Sequence, residues 1–249
     1  MTQHHFLKTI GAGTALAVVV LGGMLISSRR GQAFDKDKGK GNQGNDDDDD
    51  EQSLIQRGFA IAPVPLNLAG KNRDLVGLGS FLVNAVADCD GCHTSGGPPN
   101  FNYAAGGNPY FGQHPAKIDP ATYLGGGADF GPALPLPPGQ YAGPDIVSRN
   151  LTPDKTGRPE GGHTLAEFMT IMRTGKDFDH KHPTCTSTSP PTPANCIPAP
   201  VDGDLLQIMP WPVFQYMTDH QLQAIYEYLR AIPCVAGPPA PDPLHNDCH

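Results

Sequence analysis

The pentapeptide Cys89-Asp90-Gly91-Cys92-His93 constrains this 249-residue chain more than any other feature. It is a C-x-x-C-H motif, the pattern that attaches c-type haem. Cys89 and Cys92 would each form a thioether to one vinyl group of a haem, and His93 would give the iron its proximal nitrogen. The short residues between the cysteines would let the loop turn tightly beneath the porphyrin. The motif therefore predicts one covalently attached haem c.

The other four cysteines test the alternatives, which are a chance C-x-x-C, a redox dithiol or half of a zinc site. Cys185, Cys196, Cys234 and Cys248 contain no second C-x-x-C, which disfavours zinc. Their even number suits disulfides in an oxidising compartment. Pairing each cysteine with its nearest neighbour would close two short loops, each worth about 3 kcal/mol if unstrained. The other two connectivities stay open.

The amino terminus indicates export. Lys8 precedes an uncharged run over residues 10–26, and Gly31-Gln32-Ala33 offers small residues for a signal peptidase. Residues 1–33 are therefore either a cleaved signal peptide or an anchor in the inner membrane, attached through residues 10–26. Both alternatives deliver the rest of the chain outside the cytoplasm, and we expect it in the periplasm.

Charge and composition set the domain organisation. The net charge of −8 becomes −11 without residues 1–33, which disfavours nucleic acid as a partner. Residues 34–70 begin with a Lys/Asp/Gly/Asn segment and an acidic run, and we expect a disordered acidic linker there. The folded domain is expected over residues 71–233, interrupted by Gly/Pro-rich insertions at 95–146 and 177–202. A Pro-rich, disulfide-tied tail would follow over residues 234–249.

Three helices are predicted from apolar periodicity and capping residues. The first covers residues 72–87, with Asn72 or Asp74 as its cap. The second begins with the capping box Thr164-Leu165-Ala166-Glu167 and ends at Gly175. The third begins with the capping box Thr218-Asp219-His220-Gln221 and stops at Pro233. We expect the first and last helices to pack together, with Gly77 and Gly79 admitting Tyr226 and Leu229.

Met209 is the predicted second ligand of the haem iron. It lies in a loop just before the last helix, and Pro210 stiffens the backbone that presents its thioether. Methionines within helices more often fill the core, and lone surface histidines are usually solvated. The competing ligands left open are Met169, Met172, Met217, His163, His180, His182 and His220.

The chain resembles class I c-type cytochromes over about residues 72–233. The resemblance is carried by the haem motif, by RNLTPDKTG (149–157), by LAEFMTIMRTG (165–175) and by MPWPVFQYMTDHQLQAIYEYLRAIP (209–233). It is nearest to the monohaem modules of cytochrome c subunits of membrane-linked alcohol, aldehyde and related dehydrogenases. Such subunits often have three modules in tandem, whereas this chain has one, together with the 177–202 insertion.

The resemblance implies a mainly α fold of three or four short helices around one haem, with long Gly/Pro-rich loops. It implies His93 and Met209 as the axial ligands. Trp211 would pack on the haem or donate its indole N–H to a propionate, with plain packing an equal alternative. Arg149 and Asn150 are further candidate partners of the propionates.

Filled axial positions suit one-electron transfer and leave no open site for substrate. We therefore expect an electron carrier rather than an enzyme, working between a dehydrogenase donor and an oxidase or another cytochrome as acceptor. Permanent docking as a dehydrogenase subunit is an alternative. A five-coordinate ligand-binding haem protein would follow if Met209 did not ligate. A dihaem peroxidase would need a second C-x-x-C-H motif, and the sequence contains only the one at residues 89–93.

Overall fold

The computed structural model describes residues 43–94, 118–134, 140–186, 195–240, 242 and 245–249, with the backbone alone for residues 43–49. These residues contain six α-helices and one two-stranded sheet. In chain order the elements are α1 (Gln43–Ile61), α2 (Arg73–Phe81), α3 (Cys89–His93), β1 (Asp129–Pro132), β2 (Asp145–Val147), α4 (Leu165–Thr174), α5 (Trp211–Phe214) and α6 (Asp219–Ala231).

The three predicted helices are confirmed as α2, α4 and α6. The Asn72 side chain accepts hydrogen bonds from the first-turn amides of α2, and a π-helical turn over Leu82–Val86 continues that helix. Thr164 and Thr218 form complete capping boxes at the starts of α4 and α6. These boundaries were predictable because a capping box satisfies backbone donors through side chains only three residues apart.

The predicted packing of the first helix on the last is also confirmed, although the contact differs in detail. Gly79 of α2 lies against Ala224 and Tyr228 of α6, rather than against Tyr226 and Leu229. A Cβ at Gly79 would lie 1.9 Å from the Ala224 carbonyl oxygen. The absence of a side chain at this position therefore sets how closely the two helices approach.

The prediction of a disordered linker over residues 34–70 is wrong from residue 43 onward, because α1 packs on α2. Ile55 is only 5 % exposed and contacts Gly77. The Ser80 hydroxyl donates a 2.7 Å hydrogen bond to the Gly58 carbonyl, which anchors the two backbones together. The folded part therefore begins well before residue 71.

The error came from treating the acidic run and the residues after it as one segment. Leu54, Ile55 and Phe59 follow the acidic run and pack with the core. Their i, i+1, i+5 spacing places them on one side of a helix. The part of the predicted linker over residues 34–42 lies outside the described residues.

Strand β1 lies in the 95–146 insertion, where no strand was predicted, and β2 lies at the end of that insertion and extends to Val147. They are antiparallel, and Asp129 pairs with Val147 while Pro132 pairs with Asp145. Strands of four and three residues are too short to show a period of two in the sequence. Residues 95–117 and 135–139 of this insertion lie outside the described part.

Two disulfides join Cys185 to Cys196 and Cys234 to Cys248, so the nearest-neighbour pairing is confirmed. The tail is held by more than its disulfide. The Asn246 side-chain amide donates hydrogen bonds to the Thr152 and Pro153 carbonyls at 3.1 and 3.2 Å. The carboxyl-terminal tail thus supports the loop that contains Thr152.

The predicted signal peptide or anchor over residues 1–33 lies outside the described residues. In the part of the chain that is described, no helix has the length and apolar character needed to cross a membrane.

Replacing Gly58 with alanine tests whether α1 is docked. A Cβ there would lie 1.8 Å from the Gly77 carbonyl oxygen, so Gly58→Ala should lower the free energy of unfolding by about 1–3 kcal/mol through overpacking. Denaturant titration of the intact protein measures this. Ser53→Ala, on the exposed face of the same helix, is the matched control and should change stability by less than about 0.5 kcal/mol. A disordered segment would instead tolerate both substitutions equally.

Candidate haem site

The C-x-x-C-H motif forms the short helix α3. Asp88 precedes it in a left-handed conformation, with φ of 49°, and turns the chain into the helix. A Cβ at Gly91 would lie 2.7 Å from the Asp88 carboxylate, so only glycine fits between the two cysteines without displacing that side chain. The segment is a short helix, and the expected turn beneath a porphyrin stays a prediction.

Cys89 and Cys92 are free thiols, in contrast to the four disulfide-bonded cysteines. Burial, together with the charges of Asp90 and Asp88, raises the pKa of Cys89 to about 12. Burial, followed by the same two charges, also raises the pKa of Cys92. Redox C-x-x-C motifs depend on a lowered thiol pKa. The surroundings of these thiols therefore disfavour the redox-dithiol interpretation.

His93 is oriented by a backbone carbonyl far away in the sequence. Its Nδ1 lies 2.8 Å from the Arg149 carbonyl oxygen, which can only accept a hydrogen bond, so Nδ1 carries the proton. Burial lowers the pKa of His93 and favours the neutral ring. The Nε2 lone pair is then available, in the manner of a metal-bound histidine held by a second hydrogen bond.

A glycine-rich loop that contains Gly126 joins helix α3 to the segment around Arg149. The Gly126 amide donates a 2.6 Å hydrogen bond to the His93 carbonyl. Gly126 has φ of +76°, and a Cβ there would lie 2.6 Å from the Arg149 carbonyl carbon. Both the conformation and the close approach require glycine. Gly126 and the Arg149 carbonyl were not predicted from the sequence, because neither belongs to a local motif.

Cys89, Cys92, His93 and Met209 all line one cavity of about 1270 Å³, a volume that includes its part open to solvent. Its wall is mostly apolar, with side chains such as Phe168 of α4 and Leu229 of α6. The structure thus brings together four of the five site residues that the sequence predicted.

Only some of the competing methionine and histidine ligands line this cavity. Met172 of α4 and His182 of the insertion also line it, so both stay competitors of Met209. Met169 and Met217 are half-buried against the hydrophobic core instead. His163, His180 and His220 are not among the residues that line the cavity as described.

The backbone just before Met209 is strained. Ile208 has φ of +68°, and a β-branched residue rarely adopts this left-handed conformation. Such outliers are concentrated at functional sites, where the surrounding structure maintains them. Ile208 is exposed and borders the same cavity.

Trp211, the fifth predicted site residue, does not line this cavity. Its indole lies over Gly175 at the end of α4, and a Cβ at Gly175 would be 2.3 Å from Trp211 Cε2. Of the roles expected for Trp211, this placement favours plain packing. Gly175 therefore ends α4, as predicted, and also leaves room for the Trp211 indole to pack against the backbone.

Arg149 and Asn150, the expected propionate partners, have different surroundings. Arg149 lines the cavity and forms ion pairs with Asp177 at 2.6 Å and Asp179 at 3.2 Å. The Asn150 side chain accepts hydrogen bonds from Thr152 and donates one to the Val235 carbonyl. Arg149 therefore faces the site, while Asn150 is engaged with the backbone of the tail.

Two more charged residues of the cavity wall were missed, Glu160 and Lys181. Burial is the main cause that raises the pKa of Glu160 and lowers that of Lys181. Glu160 lies in a Gly/Pro segment without periodicity, and Lys181 lies in the insertion. No local pattern marks either of them.

The donor set is compatible with a covalently attached haem. Two free thiols, an imidazole with a fixed tautomer and a thioether face one apolar cavity, and haem iron needs only two axial side chains from the protein. Among the described residues, no group of three or more His, Cys, Asp or Glu side chains is arranged to hold a metal ion. Comparison of the chain with protein-family models, with curated proteins and with solved structures found no match.

Asp90 gives a prediction about pH. Burial, and then the charge of Asp88, raises its pKa from 3.8 to about 6, so ionisation of Asp90 opposes folding as the pH rises from about 4 to 6. Asp90→Asn should therefore stabilise the protein at pH 7.5, by roughly 2–3 kcal/mol for a shift of about two units. Denaturant titration at pH 3.5 is the internal control, because the substitution should have little effect where Asp90 is mostly protonated in both the folded and the unfolded state. An equal gain at both pH values would contradict this account.

Proposed function

We propose that this protein is a one-electron carrier with a class I cytochrome c fold and a single haem attached to Cys89 and Cys92. His93 and Met209 would be the axial ligands. The observation that supports this proposal best is that both free thiols, the oriented imidazole and the thioether line one apolar cavity.

Each of these residues contributes separately to the proposed chemistry. When bound, a haem supplies an iron that exchanges one electron between its ferric and ferrous states. The Arg149 carbonyl fixes the His93 ring and increases the basicity of Nε2. The soft sulfur of Met209 favours the ferrous state and raises the reduction potential. The mostly apolar wall would limit the contact of a bound haem with water.

A carrier is favoured over an enzyme because ligation by both His93 and Met209 would leave the iron no open position. Substrate or gas binding would need such a position. Permanent docking to a dehydrogenase uses the same chemistry and differs only in residence time. The expected partners are accordingly a dehydrogenase donor and an oxidase or cytochrome acceptor.

The disulfides bear on the location of the protein. Two disulfides indicate an oxidising, extracytoplasmic compartment. We propose the periplasm, with the chain either free or attached to the inner membrane through residues 10–26.

Substitution of the motif cysteines tests the covalent attachment. Produced with the c-type maturation machinery, the wild type should keep its haem through acid–acetone extraction, and the Cys89→Ser/Cys92→Ser variant should lose it. Cys185→Ser/Cys196→Ser is the matched control and should keep the haem while losing up to about 3 kcal/mol of stability. A wild-type protein without bound haem would rule out the proposal.

Substitution of Met209 tests the second ligand. The ferric Met209→Ala variant should lose the weak far-red absorption of sulfur-ligated haem, and its ferrous form should bind carbon monoxide within the mixing time. The wild type should not bind carbon monoxide. Met172→Ala removes the other methionine of the cavity wall and should keep the far-red band. The reverse result would assign the ligand to Met172.

A further inference from the structure

Glu160 has a buried carboxyl group in the wall of the cavity. In the sequence it is distant from both proposed iron ligands, His93 and Met209. It is 5 % exposed and lies in the loop that precedes α4. Its φ of 53° places it in the left-handed region, which a non-glycine residue adopts only when the surroundings enforce it. The fold therefore holds a carboxyl group at a position where ionisation is costly.

Burial favours the neutral form of Glu160 by raising its pKa, and the nearby charges act in both directions. Arg149 lowers the pKa of Glu160, whereas the carboxylates of Asp179 and Asp177 raise it. Arg149 is shared between Asp177 and Asp179, and Lys181 is the second cation of the group. Glu160, Asp177 and Asp179 are the carboxyl groups of this cluster, and Arg149 and Lys181 are two of its cations. Protonation of Glu160 removes one negative charge from the cluster, and burial favours this protonation by raising the pKa of Glu160.

An independent observation is that two buried polar atoms of this group lack hydrogen-bond partners among the described residues. His163 is 8 % exposed, and its Nε2 is buried without a hydrogen-bond partner among the described residues. The nearest carboxylate oxygen, Asp179 Oδ1, lies 3.8 Å from it, beyond hydrogen-bond distance. Arg149 Nη1 also lacks a hydrogen bond of good geometry, although it faces Asp179 as an ion pair. Incomplete buried groups of this kind occur where a site performs redox chemistry or holds water.

We propose that Glu160 is a proton acceptor linked to the redox state of the iron, so that the protein takes up a proton from solvent when it takes up an electron. The inference rests on the haem function proposed above. Reduction removes one positive charge from the cavity, and buried charges interact strongly because solvent screens them little. Loss of that charge makes an ionised carboxylate in the same wall less favourable.

The step balances in charge and atoms. A one-electron donor protein supplies the electron, and solvent supplies the proton. One O–H bond forms at the Glu160 carboxylate and no covalent bond breaks. The total charge within the cavity is the same before and after reduction.

The test is a spectroelectrochemical titration of the haem-loaded protein between pH 5 and 9. The reduction potential should fall with rising pH inside a limited window. Its steepest slope should approach a tenfold change in the reduction equilibrium per pH unit, about 59 mV for one electron. Glu160→Gln keeps the shape of the side chain and should make the potential independent of pH in that window.

Two control variants identify the carboxyl responsible. Asp204→Asn removes an exposed carboxylate just after the 177–202 insertion, and Asp90→Asn removes another buried carboxyl. Both variants should keep the slope. A slope that persists in Glu160→Gln, or that disappears in Asp90→Asn, would overturn the assignment.

Asp179→Asn keeps the test decisive if Glu160→Gln does not assemble. The charge of Asp179 raises the pKa of Glu160, so its removal should move the pH window downward. A pH-indicator dye should also detect a fraction of a proton taken up per electron by the wild type within the window. A fixed window, or reduction without proton uptake, would refute the inference. A protein with attached haem but a pH-independent potential would refute this inference alone, whereas absence of haem would refute the function itself.

Discussion

The hydrogen bond between His93 Nδ1 and the Arg149 carbonyl is the constraint on which the candidate site depends. It joins residues 56 positions apart, and it fixes both the tautomer and the plane of the imidazole. A side-chain partner could rotate away, whereas a carbonyl moves only with its backbone. The protein must therefore hold a loop rigid at residue 149 to hold the ring.

That rigidity comes from side chains and covalent links rather than from regular structure. Gly126 packs against the Arg149 backbone, and Asn150 fixes Thr152 on one side and Val235 on the other. Asn246 then binds Thr152 from the disulfide-tied tail. The tail thus belongs to the support of the site, although it lies far from the haem motif in sequence. Buried side-chain amides suit this task because each can satisfy several backbone groups at once.

The sequence allowed prediction of features encoded within a few residues. The capping boxes at Thr164 and Thr218 are local patterns of this kind, and the structure confirms them. The C-x-x-C-H pentapeptide and Met209 before its proline are local patterns too, and their roles in binding haem stay predictions. The docked helix α1 was missed because a strongly acidic segment obscured the short apolar face that follows it. The Arg149 carbonyl and Glu160 were missed for another reason. A backbone acceptor has no residue-type signature, and the position of a carboxyl in a loop depends on tertiary contacts.

The disulfide-closed insertion changes the character of the cavity. The wall includes Asp177 and Lys181 from the beginning of the insertion and Ile197 from near its end. Two backbone hydrogen bonds of 2.8 Å, from the Cys185 amide to the Ile197 carbonyl and from the Ile197 amide to the Pro183 carbonyl, join its two arms beside the disulfide. The helices therefore supply an apolar wall, while the insertion supplies most of the charge opposite Arg149. Because a buried ionic group interacts with any charge placed in the same cavity, the insertion has a direct influence on the energy of that charge. A segment that the sequence marks only as an insertion thus helps to determine the electrostatics of the site.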